Sequence, residues 1–554
     1  MRIPTEETKK ADLYRELIAA CGASRQKRID QYAQNRRWYL FGTDDGSVSA
    51  WNKIYSHLDL VTSFLYASDT TRFAVRMGTN APREDVHKTG AFGKKITEEW
   101  IESNADSIYS QGTLWALIYD STLIKHIRRS GSVEPFLVDS GSFGVLREDV
   151  PMLDRQDAFA HWWYLTEEDL TRRLRFHPKR DEILTNVHAA LSKKDVGSAV
   201  PPLIDSIINP AFTSTTVSGE ANVNLDMPQE YAAEITVPLI EMVELWVWNN
   251  SLDDYQTVTM ASNDVVVYDR RNIFLPRLKN FPAEHPFVQI CPNPLYDYFW
   301  GMAEIQRLIP LQRELNDAQD DLKRMYKKQV DPPTMLSGMG LVEEKMHAFQ
   351  NPNAMISGEP GTTLHQQRTE VPATSRERIQ MIVEQFEEAS GITATLAGRG
   401  DKGVRSDRHA RSLQTAGSSR PKKRAVTIED SLAKGATLYG KVIYCDDDTT
   451  LYDDKGEKFV VAQMDPHFHV KVDSHSNSPI FIEDQRDNAE VLFKARAIDR
   501  KRLIQMMNPP MQDELISDLE TKIIPGEAAQ MKARNEALAA GQAGKGGSKL
   551  ASVK

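Results

Sequence analysis

Apolar positions change their period several times along the chain, and each change marks an element. Residues 5–40 set Leu13, Leu17 and Ile18 at helical spacing on a densely charged surface, which predicts a helix. "WNKIYSHLDLVTSFLYA" (51–67) predicts a second helix with a broad apolar face. Residues 112–146 turn to β-branched and aromatic side chains punctuated by Ser-Gly turns, so strands are expected. "YLTEEDLTRRLRF" (164–176) reads as a short helix, with Thr166 as N-cap and acidic residues in its first turn. Residues 177–235 are polar and weakly patterned, suited to long connections with some helix. Alternation returns over 234–269, enough for two or three strands, and 281–301 is a proline-rich aromatic approach to the next element.

That element is the clearest helix, 301–333. Leu308, Leu311, Leu315, Ala318, Leu322 and Met325 are spaced 3-4-3-4-3 and form one apolar seam. Pro310 lacks an amide hydrogen and predicts a kink or restart, and Pro332-Pro333 end the helix. Residues 334–373 suggest a small β-containing insert. A second helix follows over 374–390, with Thr374 and Glu377 as a capping box and Ile379, Ile382, Val383 and Phe386 as its apolar face. A further helix begins near Pro421, with Ile428, Leu432, Tyr439 and Val442 on one face. Residues 450–472 predict a hairpin turning at Asp454-Lys455-Gly456. Residues 483–540 read as helical, broken at Asn508-Pro509-Pro510 and Pro525-Gly526, and 541–554 as a flexible tail. No internal repeat is evident.

Length adds that a chain of 554 residues can form several domains and bury cores without metals or disulfides. The three cysteines are far apart, which argues against a secreted disulfide scaffold. No apolar run is long enough for a membrane span, and the N-terminus lacks the apolar stretch of a signal peptide. Charge changes the picture more. The net charge is −10, yet residues 398–425 hold nine Lys or Arg against Asp401 and Asp407. This local excess of seven positive charges leaves the rest of the chain at −17. A basic island in an acidic chain suits a polyanion contact, and a solvated basic loop accounts for it equally well.

The island invites other readings. Gly398, Gly400 and Gly403 spell the dinucleotide fingerprint, but that motif needs a preceding strand, and here the preceding element is the helix 374–390. Arg399-Gly400-Asp401 spells an adhesion tripeptide in a chain with no export signal. More informative is the rhythm of Arg399, Lys402, Arg405, Arg408 and Arg411, a cation at every third position. The glycines disfavour regular helix there, so a mobile loop with a cationic edge is expected, hinged at Gly398, Gly400 and Gly403, and suited to a phosphate backbone. His467, His469 and His475 suggest metal ligands but lack a spaced fourth ligand. The Asp446–Asp448 run lacks calcium-loop spacing, and turn chemistry explains it more simply. Trp162, Trp163 and Tyr164 fit a core better than a stacking platform. No phosphate loop, nucleophile elbow or zinc-protease helix occurs, and no catalytic residue, metal or cofactor is expected.

Three stretches, taken in order, resemble the portal (head-to-tail connector) proteins of tailed bacteriophages. They are "WWYLTEEDLTRRL" (162–174); "HPFVQICPNPLYDYFWGMAEIQRLIPLQRELNDAQDDL" (285–322), where Gly301, Gln312 and Asn316 fall on family positions; and "FEEASGITATLAGRGDKGVRSDRHARSLQ". The resemblance spans most of residues 50–445. It implies an α+β portal fold with wing, stem, clip and crown regions. The wing would take 1–300 with a β return at 445–482. The stem would be the helices 301–329 and 374–391, and the clip 330–373. A tunnel loop at 392–411 would precede a long channel-side helix at 412–444, with a helical crown at 483–540. The implied assembly is a homo-oligomeric ring, typically a dodecamer, at a capsid vertex of the virion, assembled in the host cytoplasm. It would pass double-stranded DNA during packaging and ejection. Its implied partners are the large terminase subunit, major capsid and scaffolding proteins, and head-tail adaptor or tail proteins, with no membrane. Two other functions remain open at this point: a monomeric DNA-binding protein using the basic island, and a nucleotide- or metal-dependent enzyme acting at 398–403.

Overall fold

The computed structural model describes residues 3–193, 239–330, 371–390, 419–472 and 489–521, apart from short breaks, together with the strands at 334–337 and 363–366. The fold is mixed α+β. Helices α1 (Glu7–Phe41) and α2 (Lys53–Leu65) open the chain, followed by strand β1 (Phe73–Met77) and helices α3 (Arg83–Glu102) and α4 (Ala105–Tyr119). Strands β2 (Thr122–Arg129), β3 (Ser132–Val138), β4 (Phe143–Val145) and β5 (Ala158–Thr166) lead to helices α5 (Glu167–Arg173) and α6 (Arg180–Lys193). Strands β6 (Leu239–Asn249), β7 (Asp254–Ala261), β8 (Val265–Arg271) and β9 (Phe287–Ile290) precede the long helix α7 (Ile305–Val330). Strands β10 (Thr334–Ser337) and β11 (Thr363–Gln366) then pair with each other, and helices α8 (Ala373–Ser390) and α9 (Ser419–Tyr444) follow. The hairpin β12 (Thr450–Tyr452) and β13 (Lys458–Val460), strand β14 (Phe468–Val472), and helices α10 (Arg500–Met507) and α11 (Gln512–Asp518) complete the described elements.

Strands β4 to β8 form an antiparallel meander in sequence order. Its period-2 pattern sorts the side chains. Ala158, Ala160 and Trp162 with Val243, Leu245 and Val247 face Tyr14, Leu17, Ile18 and Cys21 of α1. On the opposite face, Leu165, Ile240, Met242 and Val267 meet Leu170 of α5, Leu174 just after it, and Ile183 and Val187 of α6. The side chain of Thr166 accepts from the Asp169 amide at 3.2 Å, the expected N-cap. Of the three aromatics expected in a core, Trp162 is buried, while Trp163 and Tyr164 are half-buried.

The main core lies between α2, α3, α4, α9 and a three-stranded sheet ordered β3-β2-β9. Trp100 stands at its centre, 4.7 Å from the Tyr109 ring and 5.3 Å from that of Tyr439. Ile428, Leu432, Tyr439 and Val442 share the buried face of α9, as their spacing predicts. Strand β14 pairs antiparallel with β1, Phe73 opposite Val472, and so ties residues 468–472 to the N-terminal part of the chain. No helix among the described residues is long and apolar enough to cross a membrane.

Three expectations change. The segment 112–146 is not strand throughout: its first eight residues are the end of α4, and strands begin at Thr122. Ala116, Leu117, Ile118 and Tyr119 are consecutive and all buried, so the run has no periodicity to separate helix from strand. Helix α7 continues through Pro310, whose exposed ring withdraws one amide near the helix start without ending it. Helix α8 begins at Ala373, which places Thr374 inside its first turn rather than at the N-cap.

Candidate functional site

Gly301, Gln312 and Asn316, which carried the sequence resemblance, all lie where the body of the chain hands over to α7. After β9 the chain loops out and returns, with Gln289 donating to the Phe299 carbonyl at 2.8 Å and the Met302 amide to the Asn293 carbonyl at 3.1 Å. Gly301 closes this loop with φ +73°, and a Cβ there would stand 2.8 Å from the Asn293 carbonyl and against Cys291 Sγ. Only glycine meets both demands.

Gln312 and Asn316, one turn apart on α7, then pin the helix to the α1–α2 connection. Gln312 is fully buried. Its Oε1 accepts from the Lys53 amide at 2.9 Å, and its Nε2 donates to the Trp51 carbonyl at 3.1 Å and to Asn316 Oδ1 at 2.9 Å. Asn316 Nδ2 donates to the Gly42 carbonyl at 2.7 Å, and its Oδ1 also accepts from Ser49 Oγ at 3.0 Å. Two side-chain amides thus satisfy backbone groups at the end of α1 and the start of α2. Their role is to orient α7.

The apolar seam serves the same purpose. Leu308, Leu315 and Ala318 are buried in the chain's own core, while Leu311, Leu322 and Met325 are half-buried. A single apolar seam on a helix needs a partner, and its spacing does not say which. In the structure it packs within the chain, where α7 meets α2 and α8. α8 returns antiparallel along α7 and covers the seam. Ile382 and Phe386 of α8 are buried there, and Arg376 donates to Tyr326 Oη at 3.2 Å.

The proposed tunnel-loop cations Arg399, Lys402, Arg405, Arg408 and Arg411, and the hinges Gly398, Gly400 and Gly403, lie outside the described residues. What is described is how their segment is held at both ends. It leaves at Ser390, the end of α8, and re-enters at Ser419, the start of α9. Of the remaining cations of the island, Lys422 is half-buried and Lys423 exposed, but Arg424 is only 7% exposed. Its Nη2 bonds Glu304 at 3.0 Å to Oε2 and 3.2 Å to Oε1. Glu304 is 1% exposed, and its Oε2 also accepts from Asn293 Nδ2 at 3.2 Å. Arg424 is therefore committed internally, fastening the start of α9 to the start of α7. A sequence signal for this existed. Arg424 lies four residues before Ile428 and eight before Leu432, on the buried face of α9.

The titratable groups buried elsewhere serve structure. The thiols of Cys21 and Cys291 are pushed up to about 12 by burial, so neither is a thiolate near neutral pH. Burial pulls His126 down to about 4; its ring nitrogens meet the Pro286 carbonyl at 3.0 Å and Tyr109 Oη at 3.2 Å. His57 also falls to about 4, through burial and then the positive charge of Arg424. Arg28 stacks 3.1 Å from the Trp300 ring centroid and donates to Tyr32 Oη at 2.8 Å, which in turn donates to Asp120 at 2.9 Å. Burial drives the Asp120 carboxyl well above its usual range, against the opposing pull of Arg28 and Tyr32. A cleft of about 310 Å³ beside α9 is lined by Asp154, Glu284, His285, Lys434, Lys441 and His469, with Lys434 paired to Asp154 and Lys441 to Glu284. Among the described residues no group of three His, Cys, Asp or Glu side chains is placed to hold a metal ion. His469 is exposed on β14, opposite Arg76, and His475 lies outside the described residues.

Comparison with solved structures finds similarity to a chain in the virion of a native gene transfer agent (GTA) particle. The two are 10% identical with a TM-score of 0.38, over 86% of this chain and 93% of that one. A chain from the neck of an empty GTA particle gives the same identity and TM-score, over 82% of this chain and 90% of that one. Both neighbours are chains of gene transfer agent particles. No protein-family model matches the sequence. No curated protein matches it either.

Proposed function

We propose that this chain is a portal-type subunit: a non-enzymatic ring component at the head-to-tail junction of a virion, passing double-stranded DNA and offering a docking platform to terminase and head-tail adaptor proteins. In this reading α7 and α8 are the stem, β10 and β11 belong to the clip, and the segment between α8 and α9 presents cations to the channel. The observation that carries the reading is the way this basic segment is mounted. The two helices that bracket it are both rooted on α7, α8 by packing along the seam and α9 through Arg424–Glu304, and α7 is itself pinned to the body by Gln312 and Asn316. The positions that resemble portal proteins are thus the ones that hold the basic segment's scaffold.

The charge balance suits a conduit. DNA must slide, so uniform attraction would trap it. An acidic wall repels it, and a few cationic bands keep it near the axis. Because Arg424 is consumed in the fold, the cations free to meet phosphate are fewer than the sequence count. The test is Lys402→Glu with Arg405→Glu. Ring assembly should be unchanged while DNA packaging or retention falls. Normal DNA-filled heads from this variant would remove the segment from the mechanism.

A further inference from the structure

One face of the β4–β8 meander is covered only in part. At one end Leu165, Ile240 and Met242 lie under α5 and α6, and at the other Phe159 and Trp246 belong to the main core. Between them, where Glu244 separates Met242 from Trp246 on β6, the sheet is left open as a cleft of about 200 Å³. Its walls include the buried Leu165, Leu170, Met242 and Val267. Ile273, 58% exposed, and the exposed Arg173 and Arg270 stand at its mouth. Two buried polar side chains line it, Glu244 and Thr257. Glu244 is satisfied: Lys125 Nζ donates to Oε1 and Oε2 at 2.9 and 2.8 Å, and Trp246 Nε1 to Oε1 at 2.6 Å. Thr257, only 3% exposed, is not. Its Oγ1 has no hydrogen-bond partner among the described residues, and a buried hydroxyl left unpaired costs stability.

The mouth is basic. The run 170–180, "LTRRLRFHPKR", holds five Lys or Arg and no acid. His177 lies 4.9 Å from the Tyr268 ring, which keeps this run beside the cleft. Asp169 and Asp269, next to these elements in sequence, are bonded to Arg172 and Tyr14. Arg173, Arg175 and Arg270 make no ion pair among the described residues; Arg175 and Arg270 only lie over the Phe176 and Tyr268 rings, at 5.4 and 3.9 Å. Phe176 itself is 90% exposed.

We infer that this cleft receives a tyrosine side chain from an acidic segment of a partner protein. The ring fills the apolar walls, its hydroxyl pairs with Thr257 Oγ1, and flanking carboxylates meet Arg173, Arg175 and Arg270. The volume suits one large side chain and is below that of a cofactor site. An apolar anchor in a pocket with complementary charge around it is the pattern of peptide docking. A nucleic acid fits less well. Base stacking needs open aromatic faces, but Tyr268 already carries Arg270, Trp163 packs on His161 at 5.5 Å, and the remaining walls are aliphatic.

Binding here needs no ring, so the test stands apart from the reading above. The full-length chain is titrated with a fluorescein-labelled peptide, Asp-Glu-Tyr-Glu-Asp, and followed by fluorescence anisotropy. Saturable binding below ~1 mM is expected. Phe in place of the peptide's Tyr should weaken it roughly fivefold, and Ala roughly tenfold or more. Thr257→Val, which keeps the shape of the side chain, should bind the Tyr and Phe peptides alike. Arg173→Glu with Arg270→Glu, at exposed positions, should weaken the Tyr peptide roughly tenfold or more. Far-ultraviolet circular dichroism confirms that each variant folds. The peptide should also slow hydrogen exchange of the natural chain around residues 163–174 and 257–273. An absence of saturable binding would overturn the inference, as would equal affinity for the Tyr and Ala peptides. A Tyr-over-Phe preference that survives in Thr257→Val would do the same. So would a five-residue oligothymidylate that binds more tightly than the peptide, since the patch would then be a nucleic-acid contact.

Discussion

Glu304→Leu and Arg424→Met probe the fastening between α7 and α9. Both partners are buried, at 1% and 7% exposure, so solvent screening does not weaken the pair. Removing either partner leaves the other charge buried without its counter-ion, at a cost of about 3 to 5 kcal/mol. That corresponds to a factor of roughly a hundred to a few thousand in the local opening equilibrium. Glu304→Leu should cost at least as much as Arg424→Met, because Asn293 Nδ2 also loses one of its two acceptors and keeps only the Met302 carbonyl. The double variant, with both charges gone and the volume largely kept, should recover most of the loss. A global melting curve is a poor readout for a chain of this length, which need not unfold in one step. Hydrogen exchange of peptides covering the first turns of α9 reads the local opening directly. The expected result is a large loss of protection in each single variant and near-natural protection in the double. Single variants within threefold of the natural chain would refute the argument. So would a double variant whose loss is the sum of the singles, since the pair would then not be coupled.

Other expectations follow from the same region and from the buried histidines. Gln312→Ala should cost about 1 to 3 kcal/mol by orphaning the Lys53 amide and the Trp51 carbonyl, seen as faster exchange around residues 51–53; unchanged exchange would mean the clamp carries no load. Gly301→Ala should speed hydrogen exchange in peptides around residues 289–304, whereas Gly456→Ala should change exchange around its own hairpin far less. Both glycines have positive φ, but only at Gly301 does a Cβ meet backbone, so equal effects would contradict the close packing. His126 has its value lowered from 6.5 to about 4 in the fold, so the unfolded chain binds the extra proton first and stability falls as pH drops through that window. The contribution is about 3 kcal/mol at most, and His126→Gln should flatten the stability slope between about pH 6.5 and 4. An unaltered slope would place the pH dependence elsewhere.

What could be read from the sequence followed physical rules. The seam of α7 and the buried face of α9 were legible because each keeps one helical period for several turns. The Thr166 cap and the alternating strands β6 to β8 were legible because their signals are local. The end of α4 was not, since a run buried on all sides has no period. The partner of the α7 seam was not legible, because a seam says that something covers it, not what; α8 arrives from within the chain. The pairing of β1 with β14 links residues almost 400 positions apart, and nothing local specifies it. Gln312 and Asn316 were visible only as a resemblance. Their hydrogen bonds to the α1–α2 connection supply the physical reason that these side-chain amides stand there. Arg424 had been counted with the basic island, although its helical register places it on the buried side.

The proposed function requires the chain to assemble into a ring around a channel. Negative-stain images of the purified full-length protein test it most directly. Closed rings with a central opening, several hundred kilodaltons in mass, are expected. A monodisperse population of monomers, at every concentration and salt condition tried, would contradict it.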